Sequence, residues 1–401
     1  MEARIFEGLK VLDCASFIAA PAAATVLSDF GAQVIKIEPP GLGDPYRNLP
    51  NLPGYPISAH NFAWLLDGRN KRSLALDLSG SEGKAVLYRL VAEADVFITN
   101  FPPAVRRRLG ITYEELQPLN ARLVYASFTG YGEKGDEADK PGFDSNAYWA
   151  RSGLMDLVRA DEHTTPARSV AGMGDHPCAI ALYGAIVTAL YRRERTGKGS
   201  HVSSNLMANG VWASGVLAQA KLCGAKFGER RPRERALNAV TNHYKCKDGR
   251  WLMLSLLNED KQWPVLARCL GREDLIADAR FATRPDRHAR SLELIKIFDE
   301  IFLNKDLAEW RKILDGNGLV FGVVGILDDI PNDRQMIENE VLVPFENDTM
   351  LTINSPIWVD GAKKVSPRRA PSIGEHSDEV LREAGYDEAT ILQLRASGAV
   401  A

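Results

Sequence analysis

Short apolar runs alternate with segments of helical periodicity along the first half of the chain. Helical spacing predicts helices over 22–30 and 81–94. The apolar runs predict buried strands, at 9–13, 32–38, 96–101 and 123–128. Because strand, helix and strand at this spacing form a βαβ unit, the pattern predicts an α/β fold with a parallel, doubly wound sheet.

A glycine-rich turn at 171–179 leads into an apolar run at 180–190, which predicts a buried helix. Gly172 and Gly174 precede a single carboxylate, Asp175. One interpretation is that Asp175 caps free N–H groups at the helix start. The alternative is a nucleophile, because a carboxylate held in a dry pocket at such a position can attack a substrate. Position alone favours the cap and leaves the nucleophile open.

The pattern changes after Gly224, where several arginines cluster. We interpret a region near 205–235 as the linker into a second domain. An Asp-Gly hairpin and amphipathic helices follow, near 243–251, 260–270, 291–303 and 307–314. These elements predict a smaller α+β domain over about 225–325.

The C-terminal part is strand-like over 344–369 and helical over 376–385. We expect it to rejoin a large domain made of residues 1–224 and about 326–401.

Composition and motifs argue against several classes of protein, namely nucleic-acid-binding, membrane, metal-binding and NAD-dependent proteins. The chain has 401 residues and a formal net charge of -3, which gives no case for a nucleic-acid or membrane partner. No apolar stretch is long enough to span a bilayer, and the acidic start shows no secretory signal. The five scattered cysteines suit reduced thiols in the cytoplasm, and no spacing of cysteines or histidines predicts a metal site. No GxGxxG follows the first strand, which argues against NAD.

Several basic residues are candidates for binding an anion. Lys71 and Arg72 lie just before a predicted strand, where loops line α/β clefts, although an ordinary surface charge is the alternative. The arginines of 230–235 can bind a phosphate or carboxylate, although a solvated linker face is favoured. For His176 we favour a structural role, because neighbouring residues at a helix start point in different directions.

Seven stretches share an order and spacing with one known family. They are 9–21, 30–44, 70–73, 94–101, 130–144, 195–199 and 371–376. In these stretches the chain resembles the class III coenzyme A transferases of the CaiB/BaiF type, which include formyl-CoA transferases and the related α-methylacyl-CoA racemases. The resemblance extends over nearly the whole chain, from about residue 6 to residue 385.

The resemblance implies a large Rossmann-like domain and a smaller α+β domain, in an interlocked homodimer. It assigns the nucleophile to Asp175 and implies transfer of CoA, a sulfur-containing group, from an acyl-CoA to a small carboxylic acid through an aspartyl-CoA thioester. Coenzyme A is then a co-substrate, and no other cofactor is implied. The cytoplasm is the expected location.

The implied CoA contacts come from three segments and one helix: Phe17, Ile18, Ala19, Lys71, Arg72, Asn100, Phe101 and Arg108. Arg47, Phe143 and Gly174 are the implied substrate contacts. Some relatives have an arginine where this chain has Pro39, so contacts to CoA there must differ.

Two departures from the family bear on the substrate. Racemases of the family have a histidine where this chain has Phe143, and phenylalanine cannot exchange a proton, which favours transfer. Residues 237–243 lack the glycine run of formyl-CoA transferases. Since the preceding arginines can select a second anionic group, we expect a succinyl-CoA-type donor and a dicarboxylate or sulfinate acceptor such as 3-sulfinopropionate. The alternatives are a racemase, an intramolecular CoA transferase and a non-catalytic CoA-binding protein.

Overall fold

The computed structural model describes residues 4–401, and its contacts divide the chain into two compact units. The first unit contains the chain up to Leu157, then Ala167–Gly224 and Arg334–Ala401. The second contains Val158–Pro166 and Ala225–Asp333. The predicted large domain includes 158–166 and resumes near 326, so both limits differ from the observed units.

A six-stranded parallel sheet forms the centre of the first unit. Its strands are β1 (Lys10–Asp13), β2 (Gln33–Glu38), β3 (Arg72–Ala75), β4 (Val96–Thr99), β5 (Val124–Thr129) and β6 (Ser200–Asn205). Their order is β3-β2-β1-β4-β5-β6, so the chain winds outward from β1 in both directions. The predicted α/β fold with a doubly wound sheet is confirmed, and the winding direction reverses between β1 and β4.

The helices of this part connect the strands. They are α1 (Ala19–Asp29), α2 (Phe62–Asp67), α3 (Ser81–Glu93), α4 (Pro103–Leu109), α5 (Tyr113–Leu116), α6 (Leu154–Leu157), α7 (Asp175–Thr196), α8 (Leu206–Ala213) and α9 (Gly215–Leu222). Short 3-10 helices lie at Pro45–Asn51 and Gln117–Leu119, and Asp144–Ala150 forms a π-helix. Segments of π-helix are rare and are often found at functional sites.

The second unit has its own antiparallel sheet and core. Strands β7 (His243–Lys245), β8 (Trp251–Leu254) and β9 (Phe321–Val323) pair in that order. The helices are α10 (Glu259–Cys269), α11 (Asp274–Ala277), α12 (Arg284–Ala289), α13 (Ser291–Phe302) and α14 (Leu307–Gly316). Short 3-10 helices lie at Arg233–Arg235, Ala239–Thr241, Ala279–Phe281 and Leu327–Asn332. An aromatic group fills the core, where Phe302 stacks on Tyr244 with ring centroids 5.0 Å apart.

The C-terminal part returns to the first unit. Its elements are α15 (Arg334–Glu338), β10 (Leu342–Pro344), β11 (Leu351–Ile353), α16 (Ser377–Glu383) and α17 (Glu388–Ala396). The predicted strand-like character of 344–369 is wrong for most of the segment, because prolines and Gly361 interrupt any longer strand. No helix in residues 4–401 is both long and apolar enough to cross a membrane.

Successive side chains of the central strands enter two different cores, one on each face of the sheet. On β1, Val11 belongs to the core with α1 and α7, and Leu12 belongs to the core with α3, α16 and α17. On β4, Phe97 lies in the second core, and its neighbours Val96 and Ile98 lie in the first. Because both faces are covered, neighbouring residues such as 11–12 on β1 and 96–98 on β4 are all apolar, which made these strands visible in the sequence.

Candidate active site

A cavity of about 170 Å³ opens beyond the carboxyl ends of the central strands. The loop after β1 contributes Ser16 and Phe17, and the loop after β4 contributes Asn100 and Phe101. These two strands flank the point where the winding reverses, and open α/β sheets bind ligands in the crevice at that point.

Most of the predicted site residues line this one cavity. They are Phe17, Ile18, Ala19, Asn100, Phe101, Phe143 and Asp175. Phe143 reaches the cavity because the chain after β5 folds back on itself, where Gly130 and Gly142 lie in contact. A Cβ built on Gly130 would lie 2.9 Å from the Gly142 Cα, so this contact requires glycine.

Phe17 and Phe143 form an aromatic wall of the cavity. Their rings meet edge to face, with centroids 5.4 Å apart. Phe17 has a φ of 62°, a left-handed conformation that is strained for a residue with a bulky side chain. Its backbone N–H donates to Asp44 Oδ1 at 3.0 Å, and Asn100 bonds both the N–H and the carbonyl of Ser16. The surrounding contacts therefore hold the loop in this conformation.

Asp175 is the first residue of α7, and Gly174 occupies the N-cap position. Within residues 4–401 no hydrogen bond or ion pair reaches the Asp175 carboxylate, so the cap interpretation is wrong. Gly174 lies so close to Tyr148 that a Cβ on it would be 2.6 Å from the ring Cγ. Packing against this ring fixes the start of the helix and therefore the position of Asp175.

Burial raises the pKa of Asp175 to about 7, and the neighbouring Asp144 adds to the rise. The charge of His176 opposes it. Asp144 is itself buried at the start of the π-helix and accepts a long bond of 3.5 Å from the Gly174 N–H. The cavity thus holds a carboxylate that changes its ionisation state near neutral pH.

His176 is fixed by contacts on both sides of its ring. Its Nε2 lies 3.2 and 3.3 Å from the two oxygens of Asp67, and its Nδ1 lies 3.2 Å from the Gly172 carbonyl. Asp67 is buried and also accepts a bond of 2.7 Å from Tyr46 Oη. The structural role expected for His176 therefore has specific partners.

Lys71 does not reach the cavity. Its ammonium is buried and lies 2.8 Å from Asp13 Oδ2 and 2.7 Å from the Pro21 carbonyl. Together with Lys36, which lies 2.7 Å from Asp44, these side chains form a buried charge cluster of Asp13, Lys36, Asp44 and Lys71. Since Lys71 is enclosed and paired, the expected contact of this residue with CoA is not supported.

The other predicted cations are also outside the cavity lining. Arg72 pairs with Glu379 at 2.7 Å and Glu383 at 2.8 Å. Arg47 pairs with Glu38 at 2.6 Å, and its guanidinium lies 3.8 Å from the centre of the Trp64 ring.

Arg108 is exposed near the end of α4 and is not part of the cavity lining. In the second unit, Arg233 is paired with Asp299 at 2.7 Å, so its charge is already balanced. The one cation in the cavity wall, within the described residues, is Lys140, which also pairs with Glu137 at 2.7 Å.

Three residues near Asp175, namely Asp144, Asp67 and Tyr46, were not predicted from the sequence. Asp144 stands next to Phe143 in a stretch that carried the family resemblance, so its position gave a usable signal. Asp67 and Tyr46 gave none, because their role depends on a contact with His176 across more than 100 residues of chain. No group of three or more His, Cys, Asp or Glu side chains in residues 4–401 is arranged to hold a metal ion.

The fold and cavity define a class: an α/β protein with a half-buried carboxylate at the switch point of a doubly wound sheet. Residues 6–377 match CoA-transferase family III. The chain is 34% identical to (R)-2-hydroxy-4-methylpentanoate CoA-transferase of Clostridioides difficile over 99% of both chains. It is 31% identical to succinyl-CoA:glutarate CoA-transferase of Mus musculus, covering 98% of this chain and 90% of that one.

A crystal structure of a CaiB/BaiF family protein from Brucella suis superposes with a TM-score of 0.84 and 28% identity, covering 96% of this chain and 100% of that one. The chain therefore belongs to CoA-transferase family III, and the resemblance seen in the sequence is confirmed. The names of its relatives support class III CoA-transferase activity.

Proposed function

We propose that this protein moves CoA from an acyl-CoA to a carboxylic acid through a covalent thioester on Asp175. The observation that carries the proposal is the Asp175 carboxylate, which lines an otherwise largely apolar cavity and has no bonding partner in residues 4–401. An unpaired carboxylate in such surroundings is poorly stabilised by solvent and is a stronger nucleophile than an exposed one.

Four additions account for the transfer. The Asp175 carboxylate attacks the thioester carbonyl, and CoA leaves as a thiolate, giving a mixed anhydride. The thiolate then attacks the aspartyl carbonyl and releases the donor acid, which leaves aspartyl-CoA. The acceptor carboxylate attacks that thioester, and the expelled thiolate finally attacks the acceptor acyl group. This regenerates the Asp175 carboxylate and gives the new acyl-CoA.

Negative charge develops on oxygen in each addition. The positive end of α7 lies at Asp175, and it favours an oxyanion formed there. The tight packing of Gly174 on Tyr148 holds this helix end in place before the reaction begins. The site therefore needs little rearrangement to stabilise the charge.

For the substrates we propose a succinyl-CoA-type donor and a small dicarboxylate or sulfinate acceptor. Lys140 in the cavity wall supports the choice, because its pair with Glu137 is exposed to solvent and leaves the ammonium able to face a second anionic group. Two relatives, named for a branched 2-hydroxy acid and for glutarate, show that acceptors differ within the family. Assays with succinyl-CoA and a panel of acids test the proposal, which fails if only monocarboxylates accept CoA.

We further propose a homodimer, as the family resemblance implies. Helices α8 and α9 expose large apolar side chains, among them Trp212 (85%), Val216 (85%) and Leu222 (82%). Several large exposed apolar side chains on two consecutive helices are typical of a protein interface. The free thiols of all five cysteines support a location in the cytoplasm.

Replacing Asp175 tests the transfer directly. Asp175→Asn and Asp175→Ala are expected to lose at least about 1000-fold in kcat, because the covalent step has no nucleophile. Wild-type protein mixed with acyl-CoA and treated with hydroxylamine or borohydride should carry the modification on Asp175 in a mass spectrum. Asp360→Asn, at an exposed position, is the control and should keep wild-type rates.

Normal turnover in Asp175→Ala contradicts the mechanism. An α-deuterated 2-methylacyl-CoA distinguishes transfer from racemisation, since only racemisation exchanges the deuterium with water. Absence of both reactions and of the adduct favours a non-catalytic CoA-binding protein.

A further inference from the structure

Both nitrogens of the His176 ring face hydrogen-bond acceptors. Nδ1 faces the Gly172 carbonyl, and Nε2 faces the two Asp67 oxygens. A carbonyl has no proton to give, and Asp67 already receives the hydroxyl proton of Tyr46. A neutral imidazole has one donor and one acceptor nitrogen, so it satisfies only one of these two sides.

A doubly protonated ring satisfies both sides. The surroundings maintain this state, since Asp67 is buried and, in residues 4–401, His176 is the one basic side chain within ion-pair distance of its carboxylate. Burial by itself lowers the pKa of His176, but the bond to Asp67 and the charge of that carboxylate outweigh it and raise the pKa. Gly172 belongs to the same arrangement, because a Cβ there would lie 2.9 Å from the His176 Nδ1.

We infer that His176 is a positioning residue that stands as a fixed imidazolium beside Asp175 and keeps the nucleophile ionised, and that Asp67 and Tyr46 hold it in that state. The inference rests on the proposed role of Asp175. His176 is then a permanent positive charge of the protein itself, present before the substrate binds. It does not exchange protons during the reaction.

The charges around Asp175 explain why such a cation is needed. Asp144 faces the carboxylate from the π-helix, and Asp67 acts on it from the end of α2. Both acidic groups and burial favour the neutral carboxylic acid, which is not a nucleophile. Tyr46 and Cys178 are near enough to sense the charge of Asp175, but both hold their protons at neutral pH, since burial raises their pKa values. His176 is therefore the one group among these neighbours that favours the carboxylate.

The test is the pH dependence of kcat/KM in His176→Gln. Glutamine keeps a donor toward Asp67 but removes the charge, so the pKa of Asp175 rises further. The acidic limb, expected near pH 7 in the wild type, should move up by about 1 pH unit. At pH values below the limb this appears as a loss of about tenfold, while rates at about pH 9 approach the wild type.

Asp67→Asn should lower the pKa of His176 itself, as read from the ring-nitrogen signals of labelled protein, because His176 loses the carboxylate that holds its second proton. His163→Gln, an exposed histidine of the second unit, is the matched control and should leave the profile unchanged. Thermal melts of each variant separate an effect on the site from a loss of folding.

A second readout does not depend on activity. In protein with 15N-labelled histidine, the signals that disappear in His176→Gln should show two protonated ring nitrogens at neutral pH. A neutral ring at pH 7, or an unchanged acidic limb in His176→Gln, overturns the inference while the Asp175 adduct still forms. Absence of any adduct in the wild type overturns the proposed function instead.

Discussion

Lys71 and Arg72 are adjacent in the sequence, yet their side chains have opposite surroundings. Lys71 ends in the buried charge cluster against Asp13, and Arg72 ends among the exposed carboxylates of Glu379 and Glu383. Burial alone would raise the pKa of Asp13, but Lys36 and Lys71 outweigh it and hold that pKa below its usual range. The ion pair of Lys71 and Asp13 is therefore part of the interior of the first unit rather than of the ligand site.

Lys71→Met should lower the free energy of unfolding by about 3–5 kcal/mol, because it leaves the buried Asp13 without its nearest cation. Arg72→Met, one residue further, should cost only about 1 kcal/mol, since its partners are exposed. Urea unfolding of both variants measures the difference. Equal costs, or a raised KM for acyl-CoA with unchanged stability in Lys71→Met, would contradict this assignment.

At the residue scale the sequence located the nucleophile candidate but not the role of the cations. A glycine followed by aspartate at the start of an apolar helix is a local pattern that singles out Asp175, but position alone favoured a helix cap, and only the family resemblance assigned the nucleophile to it. The partner of Lys71 lies 58 residues away, and a basic residue before a strand looks the same whether its partner is a phosphate or Asp13.

At the element scale, α7 links the core of the sheet to the cavity. The middle of the helix packs in the same core as α1, and its first residue carries the Asp175 carboxylate. Apolar strands and long amphipathic helices were predictable because periodicity is a property of the chain itself. The division of 206–222 into α8 and α9 at Ser214 was not predictable, because no proline marks it.

Gly174→Ala places a methyl group against the Tyr148 ring. The contact lies at the ring carbons nearest the backbone, so the side chain cannot move aside, and the start of α7 must shift. We expect a loss of about 1–3 kcal/mol of stability and a fall in kcat of about 100-fold, because Asp175 is displaced.

Gly184→Ala is the matched control in the same helix. A Cβ at this position has nothing within 4 Å, so alanine should raise stability by about 0.5–1 kcal/mol without changing kcat. Thermal melts and steady-state kinetics on both variants measure the two effects. Normal kcat in Gly174→Ala would show that the position of the helix start is not critical.

At the scale of the whole molecule, the chain leaves and re-enters its first unit. The stretch from Ala225 to Asp333 forms most of a second unit with its own core, and the chain then returns through Arg334–Ala401. Composition indicated the departure near Gly224. The inclusion of Val158–Pro166 in the second unit was not visible, because a short polar segment carries no signal of which core it joins.

The proposed dimer gives the test at this scale. Light scattering should show twice the mass of the 44.1 kDa chain. Trp212→Asp should shift the protein toward the monomer, because a charge in an apolar interface is not compensated. Leu392→Asp, on the exposed face of α17, is the control and should leave the mass unchanged. A wild-type monomer at micromolar concentration would contradict the dimer.

The left-handed backbone of Phe17 determines how easily this cavity can be enlarged. Glycine is the residue that adopts such a conformation without strain, so Phe17→Gly removes the ring and relaxes the chain in one step. The same change at Phe143, which has an ordinary extended backbone, offers no such compensation. Widening the cavity at position 17 therefore costs less backbone strain than widening it at position 143, which makes Phe17 the better starting point for engineering a wider substrate range.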